Sequence, residues 1–402
     1  MPTPRRLRAL LPVLALGVVV VSSGPAVADG PVGGERLAGM AVVTANPADP
    51  APPPVSAASY VVADLNSGAV LAAKDPHGRY APASTLKTLT AVTLIPRLDP
   101  AAPLTPSPQD VGVDGSKVGL VPTMSYTVKD LLTALLMVSG NDAAGALAGA
   151  VGGQQAAAGL MNTEATRLQA LDTHAVNTSG LDAEGQVSSA YDLALIARAG
   201  MAMPDFRAYV ATKRSFVPAP GGTTIDIDNH NRLLGGYPGA IGVKNGFTEA
   251  ARASFVAAAS RDGRILVVTL MRADPAVWKE AAALLDWGFA ATQRNAGPVG
   301  QLVDPVPAQR PASASAGDPQ DTPAAGTAID DGRSPVVPVA AGAGLFGGLV
   351  LLRRRAVVRA RARRRAAARQ PPRRRAPGPL PGPTRRGRGP ARLTAPADRR
   401  YS

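Results

Sequence analysis

The chain of 402 residues contains no cysteine, which excludes disulfides, thiolate nucleophiles and zinc sites built on thiolates. Histidine is nearly as scarce. It occurs only at positions 77, 174 and 230, with no H-E-x-x-H and no close pair, so the sequence offers no metal centre. No serine sits in a G-x-S-x-G elbow, and the Ser-His-Asp hydrolase route has no support.

Charge is present but unevenly placed. The formal net charge is +14, yet residues 353–402 hold 18 Arg and one Asp, and residues 1–28 hold Arg5, Arg6 and Arg8 with no acid. The 22 basic and 28 acidic groups left for residues 29–352 make that body net −6. The body therefore has no electrostatic reason to hold polyanions, and the tail has no aromatics interleaved among its arginines. No nucleic-acid partner is expected. The 42 Gly and 39 Pro cluster near both ends, and 46% apolar residues suffice for one folded body with disordered flanks.

The flanks have readable parts. Three arginines, an uncharged apolar run over residues 9–21 and Ala26-Val27-Ala28 make residues 1–28 a secretory signal. Residues 29–55 form a Pro/Ala-rich leader. Residues 294–334, rich in Pro, Ala, Ser, Gly and Asp without apolar period, form an extended, disordered tether. Residues 335–352 are expected to be a transmembrane helix. Its 17 uncharged residues 336–352 span about 25 Å, and Arg353-Arg354-Arg355 then places the C-terminus in the cytosol and the body outside the membrane. Residues 353–402 make a basic, disordered cytosolic tail.

Within the body, alternation over residues 59–74 around Asn66-Ser67-Gly68 predicts a β-hairpin. Helices are predicted from Ser84 onward, over 128–138, 142–151, 153–170 and 189–202. Strands are predicted at 208–216, 241–244, 254–259 and 265–271, with a closing helix from Asp274-Pro275 through Trp287. A strand pair, a run of helices, a run of strands and a last helix imply an α+β sheet with an inserted helical lobe.

The chemistry concentrates in three short segments. Ser84-Thr85-Leu86-Lys87 puts a hydroxyl and an amine one turn apart on the same helix face. Alone the pattern reads equally as an N-cap serine with a snorkelling lysine. Lys87 lies between Leu86 and Leu89, however, where an unpaired ammonium is costly. As a base it needs a pKa of about 7–8, which takes about 4 kcal/mol against the charged form. Burial and a second cation supply such a shift, and Lys244, in Lys244-Asn245-Gly246-Phe247-Thr248 at the end of an apolar strand, is the candidate. Ser139-Gly140-Asn141, between two helices, displays a hydroxyl and an amide.

The joint order of these segments resembles the penicillin-recognising serine enzymes, specifically the D-alanyl-D-alanine carboxypeptidases of the low-molecular-mass penicillin-binding protein group. Residues 56–293 would be the catalytic domain, since Leu135–Ala144, Asn177-Thr178-Ser179-Gly180-Leu181, Ala190–Ala194 and Asn229–Leu234 also look like family segments. The resemblance implies a β-lactamase/penicillin-binding-protein-like antiparallel sheet flanked by helices. It implies Ser84 as acyl-accepting nucleophile, Lys87 as general base and Ser139 as proton shuttle. Asn141 would bind the substrate amide, Lys244 and Asn245 side by side its terminal carboxylate, and the N–H groups of Ser84 and Phe247 the oxyanion, with Gly246 and Thr248 completing the binding strand. It further implies peptidoglycan stem peptides ending in D-Ala-D-Ala as substrate, β-lactams as covalent inhibitors, and no cofactor or metal. Family members usually carry Thr or Ser where this chain has Asn245, and many carry a β-rich second domain for which there is no room here. A β-lactamase of the same fold would need a second glutamate base, for which Glu164 and Glu184 are the acids at hand, without the E-x-x-L-N setting. A catalytically weak, membrane-anchored penicillin-binding or scaffold protein is the other alternative.

Overall fold

A computed structural model of the chain describes residues 30–307. The secretory signal, the membrane span at 335–352, the basic tail and most of the tether lie outside the described residues. Among the described residues no helix is long and apolar enough to cross a membrane.

Eleven strands and nine helices follow one another in the described chain. β1 is Val42–Thr44, β2 Ser59–Asp64 and β3 Ala69–Lys74; α1 is Lys87–Leu94, entered through a 3-10 turn Ala83–Leu86. β4 (Pro103–Leu104), α2 (Pro108–Val111) and β5 (Tyr126–Thr127) lead to α3 (Val128–Met137), α4 (Asn141–Gly149), α5 (Gln154–Arg167), α6 (Ala190–Ala202) and α7 (Pro204–Ala211). β6 (Arg214–Ala219), β7 (Thr223–Asp228) and α8 (Leu233–Gly236) precede β8 (Ala240–Thr248), β9 (Arg252–Arg261), β10 (Arg264–Ala273), α9 (Val277–Gln293) and β11 (Gly300–Gln301).

Seven strands form one antiparallel sheet in the order β1-β3-β2-β10-β9-β8, with β11 also on β3. The pleat sends alternate residues to opposite faces. On one face Phe255, Ala257, Leu266 and Val268 pack with Leu284, Leu285 and Phe289 of α9. On the other, Val256, Ala258 and Val267 join the core shared with the helical lobe. The lobe follows from helix chemistry. Thr127 and Asp130 make a capping box at the start of α3, whose Val128, Leu131, Leu132, Leu135 and Leu136 are all buried at helical spacing. α1 is buried on every side, including Lys87.

Three expectations need correction. The strand expected at 208–216 is divided between α7 and β6: Pro204 opens α7 as an N-terminal proline, and Phe206, Tyr209 and Val210 bury one helical stripe. The leader is not simply extended, because β1 pairs with β3 and Leu37 is fully buried. The body continues past residue 293. The N–H of Val299 donates to Val70 O at 2.8 Å and that of Gln301 to Gly33 O at 2.8 Å, while Val299 and Leu302 are buried. Two or three buried side chains among Pro and Gly are too few to show a hydrophobic period, which is why both segments read as linkers.

Candidate active site

The turn carrying Ser84 is pinned from several directions. Pro82 O accepts the hydroxyls of Thr85 at 2.6 Å and of Ser254 on β9 at 2.7 Å. Ala83 has a φ of 48°, a left-handed conformation that persists only where the surroundings impose it. Gly180 presses on this turn: a Cβ there would lie 1.9 Å from Ala83 O, and its φ is +80°. Gly246 approaches from β8, where a Cβ would lie 2.6 Å from the Ser84 nitrogen. Both positions require glycine, because backbone comes closer to the nucleophile's turn than a side chain permits.

Lys87 Nζ is 3.0 Å from Ser84 Oγ. It also donates to Asn141 Oδ1 at 2.7 Å and to the carbonyl of Ser179. All three acceptors are neutral oxygens. Burial, and secondarily the charge of Lys244, push the Lys87 amine well below the ordinary lysine range, with Asp142 acting in the opposite sense. Lys244 is itself fully enclosed, and burial alone lowers it to about 7.

Two of these neighbours, Ser179 and Asp142, lie in segments that carry the family resemblance, but nothing in the sequence places them at Lys87. The Ser179 carbonyl is aimed by an Asx turn in which Asn177 Oδ1 accepts from the N–H groups of Ser179 and Gly180 at 3.1 and 2.8 Å, and the loop is anchored by Thr90 Oγ1 donating to Thr178 O at 2.8 Å. The Asp142 carboxylate is buried, held by the N–H groups of Val118, Gly119 and Leu120 at 2.9–3.1 Å. A peptide nest 22 or more residues upstream cannot be read from spacing alone.

Ser139 lies in the tight α3–α4 connection with a φ of 63°, and its hydroxyl is buried without a partner. Such a group is a poised donor or acceptor for a reacting molecule. Asn141, two residues further along at the α4 entry, donates through Nδ2 to Asp114 O at 2.7 Å, which fixes its flip and aims Oδ1 at Lys87.

The strand Lys244–Thr248 divides its side chains. Lys244 pairs with Val256 and Gly246 with Ser254, on the face of Ser84 and Lys87. Asn245 pairs with Phe255 and Phe247 with Ala253, on the face covered by α9. Lys244 and Asn245 therefore do not stand side by side as the sequence suggested. Lys244 Nζ donates back to its neighbour's carbonyl, Asn245 O, at 2.8 Å. Asn245 lines a cavity of about 770 Å³ with Arg232, Phe247, Trp278 and Lys279. Arg232, which the sequence reading passed over, was visible there only as a charge in the Asn229–Leu234 segment. Thr248 Oγ1 donates to Asp182 Oδ1 at 2.9 Å at the end of the strand. Of the two acids weighed as a second base, Glu164 is clamped by Arg167 at 2.6 and 3.0 Å on α5, and Glu184 lines a separate surface depression beside Asp182.

Comparison with known proteins identifies the family and the fold. Residues 46–275 match the family model described as D-alanyl-D-alanine carboxypeptidase, peptidase S11. The chain is 44% identical over 241 residues to the D-alanyl-D-alanine carboxypeptidase DacB2 of Mycobacterium tuberculosis, covering 58% of this chain and 82% of that protein. It is 34% identical over 259 residues to DacD of Escherichia coli, covering 60% of this chain and 65% of that protein. A crystal structure of D-alanyl-D-alanine carboxypeptidase from M. tuberculosis superposes with a TM-score of 0.61 at 41% identity, over 66% of this chain and all of the other. The Streptomyces K15 DD-transpeptidase superposes with a TM-score of 0.57 at 30% identity, over 60% of this chain and all of the other. With its penicillin-binding-protein-like fold and a serine one turn before a buried lysine, the chain belongs to the D-alanyl-D-alanine carboxypeptidases of peptidase family S11.

Proposed function

We propose that this chain removes the terminal D-alanine from peptidoglycan stem peptides through an ester on Ser84. One observation carries the assignment of the nucleophile: a lysine amine in a dry site, bonded only to neutral oxygens, 3.0 Å from the Ser84 hydroxyl. In that setting the neutral amine is favoured, and a neutral amine takes a proton. Ser84 Oγ attacks the carbonyl of the penultimate D-Ala and its proton passes to Lys87. The developing oxyanion is held by the N–H groups of Ser84, in the first turn of its 3-10 segment, and of Phe247. The C–N bond breaks as Ser139 gives its proton to the leaving amine and takes in its place the one that Lys87 received from Ser84. Water then cleaves the ester and frees Ser84. Asn141 orients Lys87, and the second hydrogen of its amide remains for the substrate. The same attack opens a β-lactam ring and leaves the adduct in place.

The terminal carboxylate is assigned to the cavity beyond Gly246, where Asn245 offers an amide donor and Arg232 and Lys279 supply positive charge. Lys244, behind the strand, contributes its field rather than a direct contact. Cleavage of the terminal peptide bond by the purified full-length chain should be at least about tenfold faster, in kcat/KM, for a peptide with a free C-terminal carboxylate, which releases D-Ala, than for its C-terminal amide, which releases D-alaninamide, a difference of 1.4 kcal/mol. Asn245→Thr should change kcat/KM by less than about tenfold, and Arg232→Gln should narrow the gap between the two peptides. Equal rates on acid and amide in the wild type would remove the carboxylate assignment.

The ends of the chain support an extracytoplasmic body held by one membrane helix, with residues 1–28 as export signal and residues 335–352 as anchor. Protease added to intact protoplasts should remove the body and spare an epitope at Ser402. Loss of that epitope without lysis reverses the orientation.

A further inference from the structure

A second cavity, of about 700 Å³, lies on the lobe side of the reacting centre between α2, α4 and the 177–181 loop. Its inner wall includes Asn141 and Ser179, the two residues that hold Lys87 from that side. It is therefore continuous with the machinery, on the flank away from the carboxylate cavity lined by Asn245 and Arg232.

The chemistry of its wall is one-sided. Asp110 is the only charged side chain lining it among the described residues, and the rest are amides, hydroxyls, small residues and a few aliphatics. Asp110 has divided duties. Its Oδ2 accepts both the N–H and the hydroxyl of Ser107 at 2.8 Å, closing the cap of α2. Its Oδ1 lies against Gly145 of α4, where a Cβ would come within 2.6 Å. Gly145 is four residues beyond Asn141, just over one helical turn or about 6 Å along the same face. A carboxylate oxygen is thus presented about one turn from the amide that touches the catalytic lysine. Further along the wall a Cβ at Gly149 would meet nothing within 4 Å, so the cavity stays open there for want of a side chain.

We propose that this cavity binds a primary ammonium group carried on the side chain of the stem-peptide residue that precedes the scissile D-Ala-D-Ala. The inference rests on the carboxypeptidase reading above, which places the acyl half of the substrate beside Asn141. From the acyl residue to the preceding Cα is about 3.8 Å, and a flexible amine-bearing side chain covers the remaining turn of α4 to reach Asp110. A charge-assisted contact with Asp110 selects a free amine.

The test compares kcat/KM of the purified full-length chain on two peptides ending in D-Ala-D-Ala that differ only at the third residue from the C-terminus, lysine in one and Nε-acetyl-lysine in the other. The readout is the ratio within each variant, so general losses cancel. The wild type should favour the free amine by about tenfold, and the ratio should fall to near one in both Asp110→Asn and Gly149→Leu. A wild-type ratio near one, or a ratio unchanged in Asp110→Asn, overturns the proposal. Should Asp110→Asn fail to fold because it also caps α2, Gly149→Leu decides by the same ratio. Failure to release D-Ala from either peptide would instead strike the carboxypeptidase reading itself.

Discussion

Ser84→Ala is expected to form no adduct with a labelled penicillin and to release no D-Ala, while wild type carries one β-lactam per chain by intact mass. The argument is geometric. Ser84 Oγ is 3.0 Å from the Lys87 amine. The turn that presents it is fixed by Pro82 O, Ser254 and the approach of Gly180 and Gly246. Ser139 is also near the amide that holds Lys87, but its buried hydroxyl has no base bonded to it. Alanine at 84 leaves the backbone turn and the oxyanion donors unchanged, so loss of the adduct isolates the nucleophile. An adduct that persists in Ser84→Ala, mapped to Ser139 or elsewhere, would refute the assignment.

Lys87→Ala is expected to slow acylation by about 10²–10⁴-fold, the usual effect of losing a general base. The pH profile separates this from a packing defect. Burial and the Lys244 charge hold the Lys87 amine well below its ordinary range, so in wild type the neutral, proton-accepting form grows as pH rises and the acylation rate climbs with it to a plateau. The position of that limb depends on Lys244, whose own amine is lowered to about 7. Removing the charge in Lys244→Met should move the Lys87 limb to higher pH, because one of the two causes of its depression is gone. Lys87→Ala should lose the limb entirely. A rate in Lys87→Ala that still climbs with pH along the wild-type limb would mean that another group is the base.

The helical lobe and the hairpin were legible because their signals are local. The capping box Thr127–Asp130, the 3.6-residue stripe of α3 and the turn Asn66-Ser67-Gly68 each sit within a few residues of one another. The expected strand at 208–216 failed because a stretch such as Phe206–Val210 satisfies either period when read without its opening proline. The 299–303 segment was missed because its order comes from pairing with Val70, Gly68 and Gly33, far away in sequence.

The same division runs through the site. By itself the sequence determined that a serine and a lysine stand one turn apart on an apolar helix, that a hydroxyl and an amide follow between two helices, and that a Lys-Asn-Gly segment ends a strand. These are relations of spacing, and helix and strand geometry turns them into faces. The tertiary structure decided what each group experiences. It enclosed Lys87 and Lys244 together, so that burial lowers both amines and the charge of Lys244 lowers Lys87 further. It aimed the Ser179 carbonyl and the Asp142 carboxylate at or near the lysine through bonds spanning 22 to 92 residues. It also placed Asn245 on the α9 face, away from Lys244, with Arg232 lining the same cavity. Desolvation and charge–charge energies depend on neighbours brought together by the fold, and no spacing within one segment contains them.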